Sequence, residues 1–423
     1  MNARSLRLLY VVSLFPRLSE TFIVREVATL IAAGADVRIL SLRAPSEKLV
    51  QPDAKLLLPR VRHPLPSTQA ARERIRGMTA HPLTLSKIML KIVAKLYKQP
   101  GQVAKSLEAV ARGLEHLPFV REFDPDVIHA HWATYPSTVA LALARLLGKP
   151  FSFTCHANDI FVHDHLLREK IESAGIAITI SDYNVRWLAE HCTPSARDRL
   201  HVVHCGVDLA AIPFRPLSIS NREPDLILAV GRLDATKGFD VLLRALALLA
   251  RTDRRVRCRI IGEGPARSEM MTFIERNGLT NFVKLDGART QAEVVAALYA
   301  AAIFVLPSVI TESGDRDGIP VSLMEAMAAG TPSVSTRISG IPELIDEGKE
   351  GLLVPERDPA ALAHALERLL DDPALAERMA LAARAKVERQ FDAAMEAHKL
   401  LRLFDDACTL RRPLTADVTM ANA

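Results

Sequence analysis

The sequence predicts an α/β fold of two successive domains, each a parallel sheet wrapped by helices. Short apolar runs with strand character alternate with amphipathic helical stretches through both halves of the chain. A turn-rich stretch over 206–225 separates the halves, and 423 residues suit two domains of about 200 residues each. Residues 6–13 (LRLLYVVS) read as a strand. Residues 20–33 read as a helix, with Phe22, Val27, Leu30 and Ile31 on one face and Gly34 as its stop, and 37–42 as a second strand. A further strand starts at 127–129, an Ala/Leu-rich helix runs to a stop at Gly148, and 151–154, 176–180 and 200–204 continue the strand series. In the second half, strands at 226–230, 259–261, 283–285, 303–306, 333–335 and 352–354 alternate with helices at 241–250, 266–277, 291–302 and 320–329, and a terminal pair of helices closes the chain. These elements place the domains at 1–205 and 225–395, with a linker over 206–224 and a terminal helix and polar, disordered tail over 396–423. Ligands of such sheets bind beyond the carboxyl ends of the strands, so a substrate cleft between the domains is expected.

Composition narrows the function. The longest uninterrupted apolar run, 294–306, is too short for a membrane span. The five cysteines are scattered without a C-x-x-C pair, which excludes a disulfide framework and a cysteine zinc site and favours a reducing cytosol. The apolar stretch after the arginines of residues 1–7 superficially resembles a signal peptide, but Pro16-Arg17 interrupts it and no cleavage site follows; a buried first strand explains it better. Net charge is +5, yet 43–112 holds 14 Lys/Arg against 4 Asp/Glu, so all the excess positive charge sits in one insert. That distribution suits an enzyme with one anion-seeking surface better than a nucleic-acid-binding protein. Within the insert, Lys87, Lys91 and Lys95 recur at i, i+4, i+8 on an amphipathic helix suited to an anionic bilayer.

Three clusters carry chemistry. In GDRDGIPVSLMEAMAAGT (314–331), Pro320 suits a first helical turn and Gly330 a stop. Asp317 then lies at the helix N-terminus, Gly318 lets the backbone pass close to a ligand, and Glu325 lies about a turn and a half inside. Carboxylates accept from sugar hydroxyls while a helix N-terminus favours anions; a nucleotide sugar satisfies both. In GRLDATKG (231–238), Arg232 and Lys237 stand at a strand end, where two fixed cations can hold a diphosphate and neutralise charge on a leaving group. Neither a P-loop nor a G-x-G-x-x-G is present. Third, the run around Gly340 (SGIPE, 339–343) offers a nest of backbone N–H groups for phosphate oxygens. His129 and His131 are read as alternating onto opposite faces of a strand, a poor chelate, so no metal site is expected; His131 and Trp132 are read as lining for an acceptor. His163 and His165 are placed in a helix-like stretch.

Together these elements resemble the retaining glycosyltransferases of family 4 with the GT-B fold, on GRLDATKG, GEGP (262–265), LPS (306–308), DGIPVSLMEAMAAGTP (317–332), SGIPELI (339–345) and GLLV (351–354). FPRLSETFI (15–23), HAHWA (129–133), FTCHANDI (153–160) and GVD (206–208) are similar to the branch that builds bacterial exopolysaccharides of the colanic-acid type. The resemblance implies two Rossmann-like domains facing across a cleft, the first on the acceptor side and the second binding a nucleotide sugar, UDP- or GDP-linked. It implies that Arg232 and Lys237 hold the donor diphosphate, that Glu325 binds the ribose, and that Asp317 and His156 face the transferred sugar. Gly318, Ile319 and Pro320 fall in the same donor motif. Glu20 and Thr21 would lie beneath the donor, where relatives often carry a Gly-Gly turn that this chain lacks. Asp317 stands where the family more often has Glu. The implied reaction retains the anomeric configuration, needs no metal or cofactor, and extends a lipid-linked glycan at the cytoplasmic leaflet. Two other readings fit the same residues: a hydrolysing sugar-nucleotide epimerase and a non-catalytic nucleotide-sugar sensor.

Overall fold

The computed structural model describes residues 5–18, 20–45, 49–192, 197–217, 222–251 and 256–409. Two compact units form. Among the described residues, the first takes those up to Ile180, Val185–Val203 and those from Ala397 onward; the second takes Ser181–Asn184 and His204–Glu396.

The first unit is a seven-stranded sheet in the order β3-β2-β1-β4-β5-β6-β7, with every pairing parallel. The strands are β1 (Arg7–Val12), β2 (Asp36–Ser41), β3 (Val61–Arg62), β4 (Val127–His131), β5 (Phe151–Cys155), β6 (Ile176–Thr179) and β7 (Leu200–Val202). The apolar N-terminal run is thus an internal strand of the sheet. Successive side chains of a strand alternate between faces. Leu9 and Val11 of β1 therefore enter one core with Ile128, Val139 and Leu143, while Leu8, Tyr10 and Val12 enter another with Val24, Val27 and Phe404. Each such aliphatic side chain contributes about 1.5–3 kcal/mol on burial, which is why strands covered on both faces read as continuous apolar runs.

The basic insert is helical: Pro52–Leu57, Ser67–Ala80, Pro82–Leu96 and Pro100–Glu115. Three of these helices begin with proline, whose missing N–H costs nothing in a first turn. Helix Pro82–Leu96 buries Leu85, Ile88, Ile92 and Leu96 in the core shared with β4.

The second unit is a six-stranded sheet in the order β10-β9-β8-β11-β12-β13, again parallel. Its strands are β8 (Glu223–Val230), β9 (Arg257–Ile261), β10 (Val283–Gly287), β11 (Ala301–Leu306), β12 (Ser333–Thr336) and β13 (Leu352–Val354). Three helices close the chain, Pro359–Asp371, Pro373–Gln390 and Ala393–Thr409, where the sequence suggested two. Asp372 breaks the run by capping the second of them, accepting from Leu375 N at 2.8 Å. The part of the last helix from Ala397 onward packs into the first unit, where Phe404 meets the His129 ring at 5.2 Å. The polar tail beyond Thr409 lies outside the described residues. Strand order reverses between β1 and β4 in one sheet and between β8 and β11 in the other. In open α/β sheets those reversals are where ligands bind.

Candidate functional site

In the second unit the loops after β8 and β11 meet at the reversal, and glycine makes the meeting possible. Gly238 has φ 63°, and a Cβ there would stand 1.9 Å from the Pro307 carbonyl oxygen. A Cβ on Gly264 would stand 2.4 Å from Leu233 O. Those approaches bring the Lys237 ammonium to Asp317 Oδ1 at 2.5 Å, with the two side chains only 18% and 14% exposed. Ser308 Oγ donates to the other oxygen of Asp317 at 2.6 Å.

At the rim, Arg232 Nε donates to Asp234 Oδ2 at 2.5 Å, and Thr236 donates to Oδ1 through both its N–H and its hydroxyl. Burial pushes the Asp234 carboxyl up, but the Thr236 bonds and the Arg232 charge outweigh it and hold the group below its usual range. The Arg232 side chain remains 54% exposed, an oriented cation facing solvent. Glu325 is buried on the helix Val321–Ala329, whose Ser322 hydroxyl ties its first turn to Val230 O at 2.9 Å. Its carboxylate accepts from Gln291 Nε2 at 2.9 Å.

Gly318, Ile319 and Pro320 lead into that helix and are all buried. Gly340 is needed for close packing: a Cβ there would stand 2.8 Å from Ile319 Cγ1 and 3.0 Å from Ser181 Cβ. Two N–H groups of the supposed nest, those of Ile341 and Glu343, already donate to Ile338 O and Gly340 O within the turn. The residue that stands out is Ser339. It takes φ 49°, a region costly for a residue with a Cβ, and its hydroxyl is buried without a hydrogen-bond partner.

The first unit gathers a different set. Tyr10 on β1 donates its hydroxyl to Glu26 Oε1 at 2.8 Å, and His131 Nε2 meets the same oxygen at 3.0 Å. His131 Nδ1 faces His156 Nε2 at 3.2 Å, and the two rings stack. Burial raises the Glu26 carboxyl, but the His131 charge and the bonds from His131 and Tyr10 leave it below the ordinary range. His156 and His129 are pushed well below 6.5 by burial and then by the His131 charge. With Glu26 ionised, His131 Nε2 is the donor to it. Phe22 and Trp132 flank His156 at 4.9 and 4.5 Å between ring centroids, and Trp132 itself takes φ 78°. The buried carboxylate of Asp159 holds both loops, accepting from Ala133 N at 2.6 Å and from His156 N and Ala157 N at 3.0 Å. Lys170 holds them from behind, donating to Ala133 O and Thr134 O. Glu20 precedes helix Thr21–Ala32 and meets Arg17 at 3.0 Å, and Thr21 is that helix's first residue.

Two expectations are corrected. His129 and His131 lie two residues apart, so the strand period puts them on one face, with ring centroids 5.3 Å apart. With Glu26 their donor atoms fall within 4.8 Å of one another. Those atoms are engaged, however: His129 bonds to Ser152 Oγ and Thr154 Oγ1, and His131 to Glu26 and His156. The cluster is built as a hydrogen-bond relay. His163 and His165 lie in a loop between the short helices Asn158–Phe161 and Leu167–Ser173, not in a helix. Sequence reasoning missed Tyr10, Glu26, Asp159, Gln291 and Ser308 as site residues, which join the sites through hydrogen bonds, and took Ser339 only as part of the backbone nest.

Comparison with known proteins identifies the family and the fold. Residues 19–211 match the family model described as Glycosyltransferase Family 4, and 224–372 match that for Glycosyl transferases group 1. A protein of Escherichia coli (strain K12) named as the colanic acid biosynthesis glycosyltransferase WcaL is 32% identical over 415 residues, 89% of this chain and 94% of that one. The amylovoran biosynthesis glycosyltransferase AmsK of Erwinia amylovora is also 32% identical, covering 92% of this chain and 97% of its own. Among solved structures, a sucrose-phosphate synthase from Thermosynechococcus elongatus superposes with a TM-score of 0.73 at 18% identity, covering 96% and 100% of the two chains. Anabaena HepE in complex with UDP-glucose superposes at 0.69 and 16%, covering 95% and 99%. The chain therefore belongs to the family 4 glycosyltransferases, and its two units have the GT-B fold.

Proposed function

We propose that this glycosyltransferase moves a sugar from a UDP- or GDP-linked donor to a lipid-linked glycan in exopolysaccharide biosynthesis, with retention of configuration and without a metal ion. The observation that carries the reading is the Lys237–Asp317 pair at the β8/β11 reversal, flanked by the oriented Arg232. A donor diphosphate draws Lys237 and Arg232 onto its oxygens, and the two cations supply the charge that would otherwise come from a metal. Asp317, released from Lys237 but kept in place by Ser308, is left to accept from a hydroxyl of the transferred sugar. The buried Glu325 accepts from the ribose hydroxyls, and the unpartnered Ser339 hydroxyl donates to a phosphate oxygen. In a front-face displacement, the bond from the anomeric carbon to the donor phosphate oxygen breaks as the bond to the acceptor oxygen forms. The acceptor proton passes to the departing phosphate.

Relatives named for colanic acid and amylovoran biosynthesis support the exopolysaccharide assignment. No described helix is long and apolar enough to cross a membrane. The exposed Lys87, Lys91 and Lys95 would instead hold the protein on an anionic cytoplasmic leaflet. Nucleotide release from a panel of UDP-, GDP- and ADP-sugars, in EDTA, with and without a lipid extract of the source cells, tests the reading. Release that requires one donor and the extract supports it. Release from a donor without any acceptor favours an epimerase, and binding without release favours a sensor.

A further inference from the structure

On the first unit, a small groove opens between helices Pro82–Leu96, Tyr135–Leu147 and Leu167–Ser173. Ile88, Ile92, Leu141 and Leu166 form apolar walls, and Lys91 and Arg145 bring two cations to it. The acids nearby are already engaged: Glu169 with Lys95 at 3.1 Å and Glu172 with Arg168 at 2.9 Å. Lys170, at the base, spends its ammonium on the carbonyls of Ala133, Thr134 and His165. Arg145 donates to Ser173 Oγ at 3.1 Å, with no carboxylate in ion-pair range among the described residues, and Lys91 has neither a hydrogen bond nor an ion pair there.

Burial, and then the Arg145 charge, depress the Lys91 ammonium, and burial depresses Arg145. Glu169 lines the same groove and, with Glu172, offsets part of that depression, so the two cations, partly removed from water, are balanced only in part and an added anion relieves the rest. The same helix turns a second feature outward. Leu83, Leu90 and Tyr97 recur every seven residues and are 79%, 70% and 66% exposed, on the side opposite Leu85, Ile88, Ile92 and Leu96. An apolar ridge beside a cationic groove complements one kind of surface, an anionic lipid leaflet.

We propose that the groove binds a single lipid carrying a phosphate monoester, with the phosphate between Lys91 and Arg145 and the first methylenes of its chain against Ile88, Ile92, Leu141 and Leu166. A dianionic headgroup matches the two cations, and an aliphatic chain matches the walls. The inference deepens the membrane-docking part of the proposed function and rests on it.

The test uses the full chain and four single variants of equal charge change, R145Q and K91Q in the groove and K87Q and K98Q outside it. They are sedimented with phosphatidylcholine vesicles that contain phosphatidic acid or phosphatidylglycerol at matched surface charge. The groove variants lose about 10-fold or more of their affinity for phosphatidic acid vesicles. The outside variants lose about 5-fold or less, the worth of one lysine at an anionic surface. Equal losses in all four overturn the groove while leaving surface docking intact.

Calorimetry with monomeric dihexanoyl phosphatidic acid separates the two readings. Saturable binding that K91Q abolishes supports the groove even if no vesicle binds, in which case docking alone fails. No binding, or equal binding of inorganic phosphate, overturns it. Arg145 is partly buried, so its variant is checked by thermal melting. Lys91 is partly exposed at the mouth of the groove and makes no hydrogen bond or ion pair among the described residues, so K91Q keeps the test decisive if R145Q unfolds.

Discussion

The two units place their chemistry at the same topological position and build it in opposite ways. The second unit uses full charges at the edge of the sheet, in two separate pairs: Lys237 with Asp317, and the more exposed Arg232 with Asp234. The first uses buried imidazoles, a phenol and one carboxylate, linked in a chain from Tyr10 through Glu26 and His131 to His156. Pairs of the first kind can be exchanged for a ligand's charges, as the proposed function requires. A relay of the second kind fixes the orientation and proton position of one ring. The difference separates a binding surface from a positioning device, and it can be broken from either side.

The largest effect is expected in the second unit. Lys237→Ala removes the charge-assisted contact proposed for the departing diphosphate, and kcat/KM for the donor should fall about 100- to 1000-fold. Steady-state kinetics decide it; a fall below 10-fold would remove Lys237 from the leaving-group role. Next is Gly238→Ala, where the added methyl meets the Pro307 carbonyl at 1.9 Å in a left-handed backbone. It should cost about 2–3 kcal/mol or more in chemical denaturation, with the first unit unaffected in hydrogen exchange.

Glu26→Gln sharpens the contrast. The carboxylate touches His131 and not His156, so the variant should lower kcat about 10-fold, with donor KM nearly unchanged and the pH profile displaced. A pure loss of stability, with kcat and pH profile intact, would reduce Glu26 to a structural role.

The smallest effect is in pH dependence. His129 and His156 have depressed values in the folded chain, so the unfolded chain takes up protons first as pH falls below about 6.5. First-unit stability should therefore decline there, by up to about 1.4 kcal/mol per pH unit for each histidine. Glu26 is also depressed; its contribution is full above 4.5 and is lost as the pH falls through its folded value. Both tryptophans, Trp132 and Trp187, lie in the first unit, so denaturation followed by their fluorescence reports that unit alone.

The same contrast explains what the sequence made legible. Strands buried on both faces, such as β1 and β8, announce themselves as apolar runs. Helix Ser67–Ala80 buries only Ala70 and Gly77 and leaves no such stripe, so the insert was readable mainly at helix Pro82–Leu96. The second site lies largely within two contiguous stretches, 231–238 and 306–325, where local spacing carries the pattern. The first is assembled from residues as far apart as Glu26 and His131, which no local spacing encodes. The placement of His129 and His131 on one face follows from the strand period itself, two residues per repeat. Ser339 is recognisable only from its backbone angle and its unpartnered hydroxyl.

The central claim is that the Lys237–Asp317 pair is a donor site held closed by its own counter-charge. Isothermal titration of UDP, GDP and their sugars into the wild-type chain, K237A and D317N, in EDTA, tests it most directly. One nucleoside diphosphate should bind the wild type, and bind K237A at least 10-fold more weakly. The free diphosphate should bind D317N as well as or better than wild type, because Lys237 no longer has to leave a partner, while the sugar-bearing donor gains less. Undiminished binding to K237A, or equal weakening of both variants toward the free diphosphate, would contradict it.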